Sequence, residues 1–300
     1  MKFRGHETFA IRKGWLTKGM RNVDVFPDVF VSREVNPMDS LGIGSNMVKS
    51  LRYWLQATGL TIEPKSGRRN QQFTELGNII YHNDRYFEEV GTLWLVHYAL
   101  ATNVEEATSW YIFFNEFDLL EFTEEDFSKR VKKYLSINNP EYDIPSERAI
   151  SDDFKCIINT YYSKKYSSVN SDKENPEDNM ECPLAELGLV EFFEAKKHER
   201  VFRKRLPKSE NIPELIVLAV ILKKYGDIKE IRISSLQNDI CSIGKVFCLD
   251  TLSLHNILYK LDSLGYIKVV RTAGLDVIRI ETNMTFIECV ELYYHELNDR

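Results

Sequence analysis

The sequence predicts a mainly α-helical protein with small β wings, in which winged helix-turn-helix units lie at both ends and a helical region lies in the middle. Three observations predict this fold. Apolar residues recur at helical spacing through much of the chain. A region near each end has the order of helices followed by a β-hairpin that is typical of a winged helix. Hydrophobic residues make up 43% of the 300 positions, which is enough for a buried core.

The first 31 residues contain two predicted elements and one motif that could carry chemistry. Residues 8–20 are a predicted helix, and residues 25–31 are a predicted extended segment because β-branched and aromatic residues dominate it. His6 and Glu7 lie near Arg12, and a His–Glu pair beside a cation could transfer protons or hold a phosphate. These three residues are therefore candidate catalytic residues. The alternative is a structural role, because neighbours in a strand point in opposite directions.

The clearest pattern lies between residues 37 and 74. Ser45 and Asn46 are predicted caps of its longest helix, which Gly59 ends. A basic turn, residues 65–69, lies between two predicted strands. The order predicts a winged helix-turn-helix. In chain order, the predicted parts are a helix at 37–41, a turn at 42–44, a helix at 45–58, and strands at 60–62 and 72–74.

The helix at 45–58 has an apolar face and a polar face. Arg52 could donate two hydrogen bonds to guanine, and Asn46 or Gln56 could pair with adenine in a major groove. A winged helix that contacts only protein is the alternative. The apolar stripe consists of Met47, Val48, Leu51, Trp54 and Leu55. The polar face carries Ser45, Lys49, Arg52 and Gln56, with Asn46 and Tyr53 at its flanks.

The net charge of −6 argues against a generic basic nucleic-acid-binding protein, but the charge is unevenly distributed. Residues 1–70 hold 12 Lys and Arg against 6 Asp and Glu, a net charge of +6, so the other 230 residues carry −12. A polyanion would therefore contact the N-terminal part, unless the charges form only a solvated face. The cations predicted to contact nucleic acid are Lys18, Lys49, Arg52, Lys65, Arg68 and Arg69.

The rest of the chain is predicted to be mainly helical, with a short strand at 230–233 and a second hairpin near the C-terminal end. The predicted segments are a winged-helix DNA-binding unit at 1–83, a helical middle at 84–166, an acidic loop or linker at 167–181, and a C-terminal winged-helix domain at 182–300. In this last domain, with its hairpin at 267–280, a structural or dimerisation role is as well supported as DNA binding. The aromatic residues of the middle are predicted core, with a base-stacking platform as the alternative: Trp94, His97, Tyr98, Trp110, Tyr111, Phe113, Phe114 and Phe117.

Several classes of protein are disfavoured. Five cysteines without a C-x-x-C pair predict reduced, mostly buried thiols and not a zinc site. No apolar run approaches the roughly 18 residues of a membrane span, and the N-terminus lacks the apolar stretch of a signal peptide, so a cytoplasmic protein is expected. Motifs typical of P-loop NTPases, zinc proteases and serine esterases are missing from the sequence.

Several blocks of the sequence resemble domain-of-unknown-function family 4007. The most specific are the motif segment (residues 3–9, Phe-Arg-Gly-His-Glu-Thr-Phe) and residues 41–54, from Leu-Gly-Ile-Gly-Ser to Arg-Tyr-Trp. Shorter blocks at 14–19, 92–98, 114–117 and 183–189 fit the same family. Together the blocks span roughly residues 3–190.

The resemblance implies a role in bacterial DNA phosphorothioation, a modification used in antiviral defence. In the Ssp-type system this family supplies the component that nicks DNA while sulfur replaces a non-bridging phosphate oxygen. Implied partners are double-stranded DNA, a cysteine desulfurase, an ATPase and an ATP-pyrophosphatase-like sulfur-transfer protein, and a homodimer is also an expectation. A sequence-selective nicking endonuclease would be expected to use Mg²⁺ or Mn²⁺ and no organic cofactor, because phosphodiester cleavage needs charge neutralisation. The alternatives are a non-enzymatic DNA-binding adaptor or transcription regulator, and a protein-interaction scaffold.

Overall fold

The computed structural model describes residues 1–162, 182–196, 199–272 and 275–299. Its composition of 54% helix and 11% strand, the latter in small sheets, confirms the mainly helical class. Within this described part of the chain, none of the helices has the length and apolar character that crossing a membrane requires. The acidic region predicted at 167–181 lies outside the described residues.

The chain forms two compact units. Unit 1 consists of residues 1–88 and 99–205, and unit 2 consists of residues 89–98 and 206–300. One helix, Val90–Thr102, therefore contributes residues to both units. The division of the chain into four functional segments stays a prediction.

The described residues form helices joined by short turns, with small antiparallel sheets. The helices are α1 (Trp15–Val25), α2 (Pro37–Leu41), α3 (Ser45–Ala57), α4 (Glu75–Asn83), α5 (Val90–Thr102), α6 (Thr108–Tyr111), α7 (Glu124–Asn138), α8 (Glu147–Tyr161), α9 (Glu214–Tyr225), α10 (Ile233–Asn238), α11 (Ile243–Val246), α12 (Thr251–Ser263) and α13 (Phe286–Asn298). A π-helical turn (Ile112–Glu116) follows α6, and 3-10 turns lie at Pro183–Leu187 and Ser209–Asn211. The strands are β1 (Thr61–Ile62), β2 (Gln72–Phe73), β3 (Glu121–Phe122), β4 (Val190–Lys196), β5 (Glu199–Lys204), β6 (Glu230–Arg232), β7 (Ile267–Thr272) and β8 (Leu275–Ile280); they form the pair β1–β2 and the sheets β3–β5–β4 and β6–β8–β7.

Local signals predicted part of this fold correctly. α2, α3, the β1–β2 pair and the β7–β8 pair lie where the sequence predicted them. α1 begins at Trp15 and not at residue 8, because Gly14 precedes it with a left-handed backbone (φ 80°). The predicted extended segment at 25–31 is wrong, since hydrogen-bonded turns follow the end of α1 there.

The sheet β3–β5–β4 of unit 1 was not predicted from the sequence. β3 has only two residues, and its Phe122 pairs with Phe202 of β5, far away in the sequence. A two-residue strand has no periodicity of its own, so its pairing cannot be predicted locally. Phe113 and Phe154 extend this aromatic core, with ring centroids 5.3 and 6.2 Å from that of Phe122. The predicted aromatic core is confirmed for Trp94, His97, Tyr98, Trp110, Phe113, Phe114 and Phe117, which are buried, whereas Tyr111 is partly exposed.

A buried lysine holds the end of the π-helical turn in unit 1. Lys204, the last residue of β5, is only 8% exposed. Its Nζ donates hydrogen bonds to the carbonyl oxygens of Phe113, at 2.6 Å, and Phe117. The ammonium also lies 4.6 Å from the ring centroid of Phe113. These carbonyls are at a helix end, where the helix supplies no N–H partners, so the lysine satisfies them.

Unit 2 is built around α9, whose buried residues pack against α12 and α13. The first part of α5 belongs to this unit. Its Trp94 donates from Nε1 to the carbonyl oxygen of Asn211 at 3.0 Å, and its His97 donates from Nε2 to that of Val246 at 2.8 Å. His97 is fully buried, so its protonation state is linked to the stability of unit 2.

We expect unit 2 to lose stability as the pH falls from about 6.5 to about 4. Burial lowers the pKa of His97 from 6.5 to about 4, because desolvation disfavours the imidazolium ion. Between these values the unfolded chain binds a proton that the folded chain does not, so the stability present above pH 6.5 falls by about 3 kcal/mol across this window. Urea unfolding of the wild type and His97→Gln, followed by fluorescence, measures the effect. The variant should show a weaker pH dependence, and equal slopes would contradict the assignment.

Candidate nucleic-acid interface

The turn between α2 and α3 fixes the start of the interface. Gly42 ends α2 in the left-handed conformation (φ 61°), which glycine adopts without strain. Gly44 is the N-cap residue of α3, and as a glycine it has no side chain that could cap the helix. The predicted capping by Ser45 and Asn46 is therefore wrong, because both residues already lie in the helix. The side chains of both residues are exposed, and neither has a hydrogen-bond partner among the described residues. Both side chains are therefore available to a ligand.

One apolar face anchors α3 in unit 1. Val48, Leu51, Trp54 and Leu55 are all buried, as the sequence predicted, and Met47 is partly exposed at the edge of the stripe. Burying each large apolar side chain contributes about 1.5–3 kcal/mol relative to leaving it in water. The packing of α1 against α3 supplies part of this burial and holds the opposite face of α3 outward.

The polar face of α3 is exposed at its N-terminal end and engaged further along. Lys49 is exposed and has no ion-pair partner within the described part of the chain. Arg52 and Gln56, one and two turns later, are partly exposed and take part in hydrogen bonds. The first two turns of the helix are therefore the part with freely available polar side chains.

The basic turn follows α3 at the tip of the β1–β2 hairpin. Lys65, Arg68 and Arg69 are exposed. The first two have no ion-pair partner among the described residues, and Nε of Arg69 lies 4.0 Å from Oε1 of Glu63. The structure therefore brings Lys49 and the three cations of the basic turn onto one helix-and-hairpin element.

The buried Gln71 fixes the hairpin to α3, and sequence reasoning did not single it out. Its Nε2 donates to the carbonyl oxygen of Arg52 at 3.2 Å, and its Oε1 accepts from the hydroxyl of Thr61 at 3.1 Å. Its backbone N–H donates to the carbonyl oxygen of Pro27 at 2.8 Å. A buried amide with these groups satisfied rigidifies its surroundings, so the basic turn has a defined base.

Arg52 is held by a second residue that sequence reasoning missed, Glu63 of the hairpin. Nε of Arg52 donates to Oε2 of Glu63 at 2.9 Å, and Nη2 donates to Oε1 at 2.5 Å. This is a bidentate pair of guanidinium and carboxylate, the geometry that gives such pairs their strength. Nε2 of Gln56 lies 3.4 Å from the same carboxylate and 3.2 Å from the carbonyl oxygen of Arg52.

The two regions predicted as winged helices differ in their charge. Between residues 45 and 73 there are five cations and one carboxylate, a net charge of +4. In unit 2, by contrast, four cations of the predicted helix and hairpin each have a carboxylate beside them. These pairs are Lys260 with Glu214, Lys268 with Asp262, Arg271 with Asp276 and Arg279 with Glu230. The surface formed by Lys49, Arg52, Lys65, Arg68 and Arg69, called the cationic surface below, is therefore the more positively charged of the two.

The motif segment is a strained turn centred on a fully buried histidine. Arg4, Glu7 and Thr8 have left-handed backbones, with φ of 58°, 49° and 71°. The N–H of Thr8 donates to Nδ1 of His6 at 3.0 Å, so the ring carries its proton on Nε2. Nε2 of His6 lies 2.7 Å from Oδ1 of Asp153. Both ring nitrogens of this histidine are therefore engaged inside unit 1.

Asp153 of α8 connects this turn to the rest of unit 1. Besides His6, it accepts hydrogen bonds from the backbone N–H of Arg4 at 2.8 Å and from the hydroxyl of Ser109 at 2.5 Å. The ring of His6 stacks on that of Trp54 in α3, with centroids 6.0 Å apart. The two most specific sequence blocks thus meet in space, at the apolar side of α3.

The structure does not bring the three candidate catalytic residues together. His6 is buried, whereas Glu7 is exposed, and its carboxylate has no ion-pair or hydrogen-bond partner among the described residues. The guanidinium of Arg12 is partly exposed and lies over the rings of Phe9 and Trp15, 5.8 and 5.4 Å from their centroids. Lys18 is partly exposed on α1. The catalytic roles of His6, Glu7 and Arg12 and the DNA contact of Lys18 stay predictions.

Carboxylate, histidine and cysteine side chains are dispersed over the described part of the chain. Within the described ranges, no group of three or more His, Cys, Asp or Glu side chains is arranged to hold a metal ion. The five cysteines are free thiols, and four of them are buried. Asp152 and Asp153 are engaged by Arg4 and His6.

Comparisons with known proteins give one family and one fold. The family model for DUF4007, proteins of unknown function, matches residues 3–294. Two crystal structures of SspB, one bound to magnesium ion, share the fold with TM-scores of 0.83 and 0.82. Each is 25% identical, and each alignment covers 100% of this chain and 89% of SspB. No curated protein matches the sequence. The resemblance carried by residues 3–9 and 41–54 is thus confirmed, and the chain belongs to the DUF4007 family.

Proposed function

We propose that this chain is the DNA-binding component of an Ssp-type phosphorothioation system. In this proposal α2, α3 and the β1–β2 hairpin act as a winged helix-turn-helix on double-stranded DNA. Membership of the DUF4007 family and the likeness to SspB support the system. The observation that carries DNA binding is a set of three cations, Lys49, Lys65 and Arg68, on one exposed helix-and-hairpin element, where no described carboxylate pairs with them.

The charge distribution supports contact with a polyanion. The chain carries −6 overall, yet the region from 45 to 73 carries +4. Lysine and arginine on a hairpin neutralise phosphates and release counterions, which gives affinity without sequence selectivity. Exposed Ser45, Asn46 and Lys49 at the start of α3 lie where a recognition helix contacts base edges.

We also propose that the protein nicks one DNA strand. Its likeness to SspB and the role that the family resemblance implies support this part of the proposal. Cysteine desulfurase, ATPase and sulfur-transfer partners belong to the same proposal. A second candidate is a DNA-binding adaptor without nuclease activity. One observation favours it: His6, a candidate catalytic residue, is fully buried, and both of its ring nitrogens are engaged.

Supercoiled plasmid tests binding and nicking together. We expect the purified chain to retard plasmid in EDTA, and to convert it to open circles when Mg²⁺ or Mn²⁺ is added. Retardation without conversion at any metal concentration would leave the adaptor as the function. Absence of retardation at low salt would overturn the DNA-binding proposal. Lys49→Glu, purified in the same way, is the control: its nicking should weaken with its binding, whereas a contaminating nuclease would nick equally.

A further inference from the structure

We infer that Glu63 is a specificity-determining residue that aligns Arg52 for bidentate recognition of a guanine. The inference deepens the proposed function and rests on it. Glu63 is the single carboxylate between residues 45 and 73, and it lies against two cations of the cationic surface, Arg52 and Arg69. If the surface acted only by attracting phosphates, a carboxylate at this place would weaken it.

The geometry of the pair leaves the guanine-binding edge of Arg52 open. A guanidinium has five N–H groups in a fixed planar fork. Glu63 takes the edge formed by Nε and Nη2. The other edge, formed by Nη1 and the second N–H of Nη2, has the spacing that matches O6 and N7 of guanine.

Burial places the carboxylate behind the guanidinium. The side chain of Glu63 is 9% exposed, whereas that of Arg52 is 23% exposed. The acid therefore lies on the protein side of the pair, and the arginine supplies its exposed part. Nη2 and Nε cannot turn towards a phosphate without breaking the pair with Glu63, so the direction of the free edge is fixed.

Two amides hold the backbone of Arg52 as well. The carbonyl oxygen of Arg52 accepts from Nε2 of Gln56 and from Nε2 of Gln71, each at 3.2 Å. Both ends of the residue are thus positioned before DNA arrives. Pre-organisation of a long side chain lowers the entropy lost on binding and restricts it to one partner geometry.

The charge of Glu63 affects selectivity and affinity in opposite directions. Arg52 and Arg69, the latter at 4.0 Å, offset the carboxylate, so these three groups keep a net positive charge. Removing the carboxylate would raise attraction to any phosphate, and would release Arg52 to bind phosphates or other bases. We therefore expect a substitution here to strengthen non-specific binding while weakening the preference for guanine.

Selection from a pool of duplexes with a randomised central window measures this preference. We expect the wild type to enrich guanine at one position, and Glu63→Gln to lose this enrichment by about tenfold, the size of a lost bidentate base contact. Binding of Glu63→Gln to an all-A·T duplex, measured by fluorescence anisotropy, should be severalfold tighter than wild type. Glu34→Gln, the same change at an exposed site in the same unit, is the matched control and should keep the enrichment.

A second variant keeps the test decisive if Glu63→Gln unfolds. Arg52→Lys retains the charge but lacks the fork, so it should lose the guanine preference and keep its salt dependence. Two outcomes would overturn the inference while DNA binding stands. In the first, both variants enrich guanine as strongly as the wild type does. In the second, the wild type has no preference for guanine. A wild-type chain that binds no duplex at low salt would instead overturn the proposed function.

Discussion

Asp153→Ala is expected to lower the free energy of unfolding of unit 1 by about 3–5 kcal/mol, because three donors lose their acceptor at once. These donors are the Nε2–H of His6, the hydroxyl of Ser109 and the backbone N–H of Arg4. His6 and Ser109 are buried, so bulk solvent does not reach the donors that the carboxylate satisfies. The strained turn would also lose the bond that holds it to α8, and strain of this kind persists only where its surroundings enforce it.

Urea unfolding followed by circular dichroism measures this loss. Asp153→Asn should have an intermediate effect, because its amide oxygen still accepts from His6 and Arg4. Asp152→Ala is the matched control at the neighbouring position. Its ion pair with Arg4 involves a partly exposed guanidinium, so its loss should cost less than about 1 kcal/mol. Equal destabilisation by the two alanine variants would show that the buried network has no special role.

Removing the three cations of the basic turn is expected to reduce DNA affinity by about two orders of magnitude at 0.1 M salt. Lys65, Arg68 and Arg69 are exposed, so their combined replacement by alanine leaves the core intact. Each phosphate contact contributes about 0.9 to the slope of log affinity against log salt, so the slope should fall by about 2.7. Fluorescence anisotropy on a 30-base-pair duplex at several salt concentrations measures both quantities.

The matched control removes three cations elsewhere in unit 1. Lys129, Lys132 and Lys133 lie on α7, and their replacement by alanine changes the net charge by the same amount. This variant should retain most of the affinity and the full slope. If it loses as much as the basic-turn variant, net charge and not the hairpin governs binding, and the proposed interface is wrong.

The sequence predicted the elements whose signals are local. The apolar stripe of α3 at helical spacing and the glycines around α2 lie within a few residues of the structure they specify. The contacts that define the candidate site are not local. His6 suggested chemistry together with its neighbour Glu7, but its partner is Asp153, on a helix that begins after residue 146. Arg52 likewise appeared as a free side chain of a helical face.

The pairing of Arg52 with Glu63 shows why composition could not reveal the rest. Glu63 follows a two-residue strand, and only the register of the hairpin brings its carboxylate against α3. The buried Gln71 that joins this hairpin to α3 cannot be told from a surface glutamine in the sequence. The count of charges along the chain therefore predicted which region has a net positive charge, but it could not predict which cation pairs with which carboxylate.

The sharing of α5 between the two units has a consequence for dissecting the protein by truncation. A fragment beginning at residue 206 would lack the part of α5 that supplies His97 and Trp94 to unit 2, and with it their bonds to Val246 and Asn211. A fragment ending at residue 205 would carry this part of α5 without the rest of unit 2, so its buried side chains would be exposed. Deletion mutants cut at the obvious boundary would therefore damage both halves, and a gene encoding either half alone should yield an aggregation-prone product.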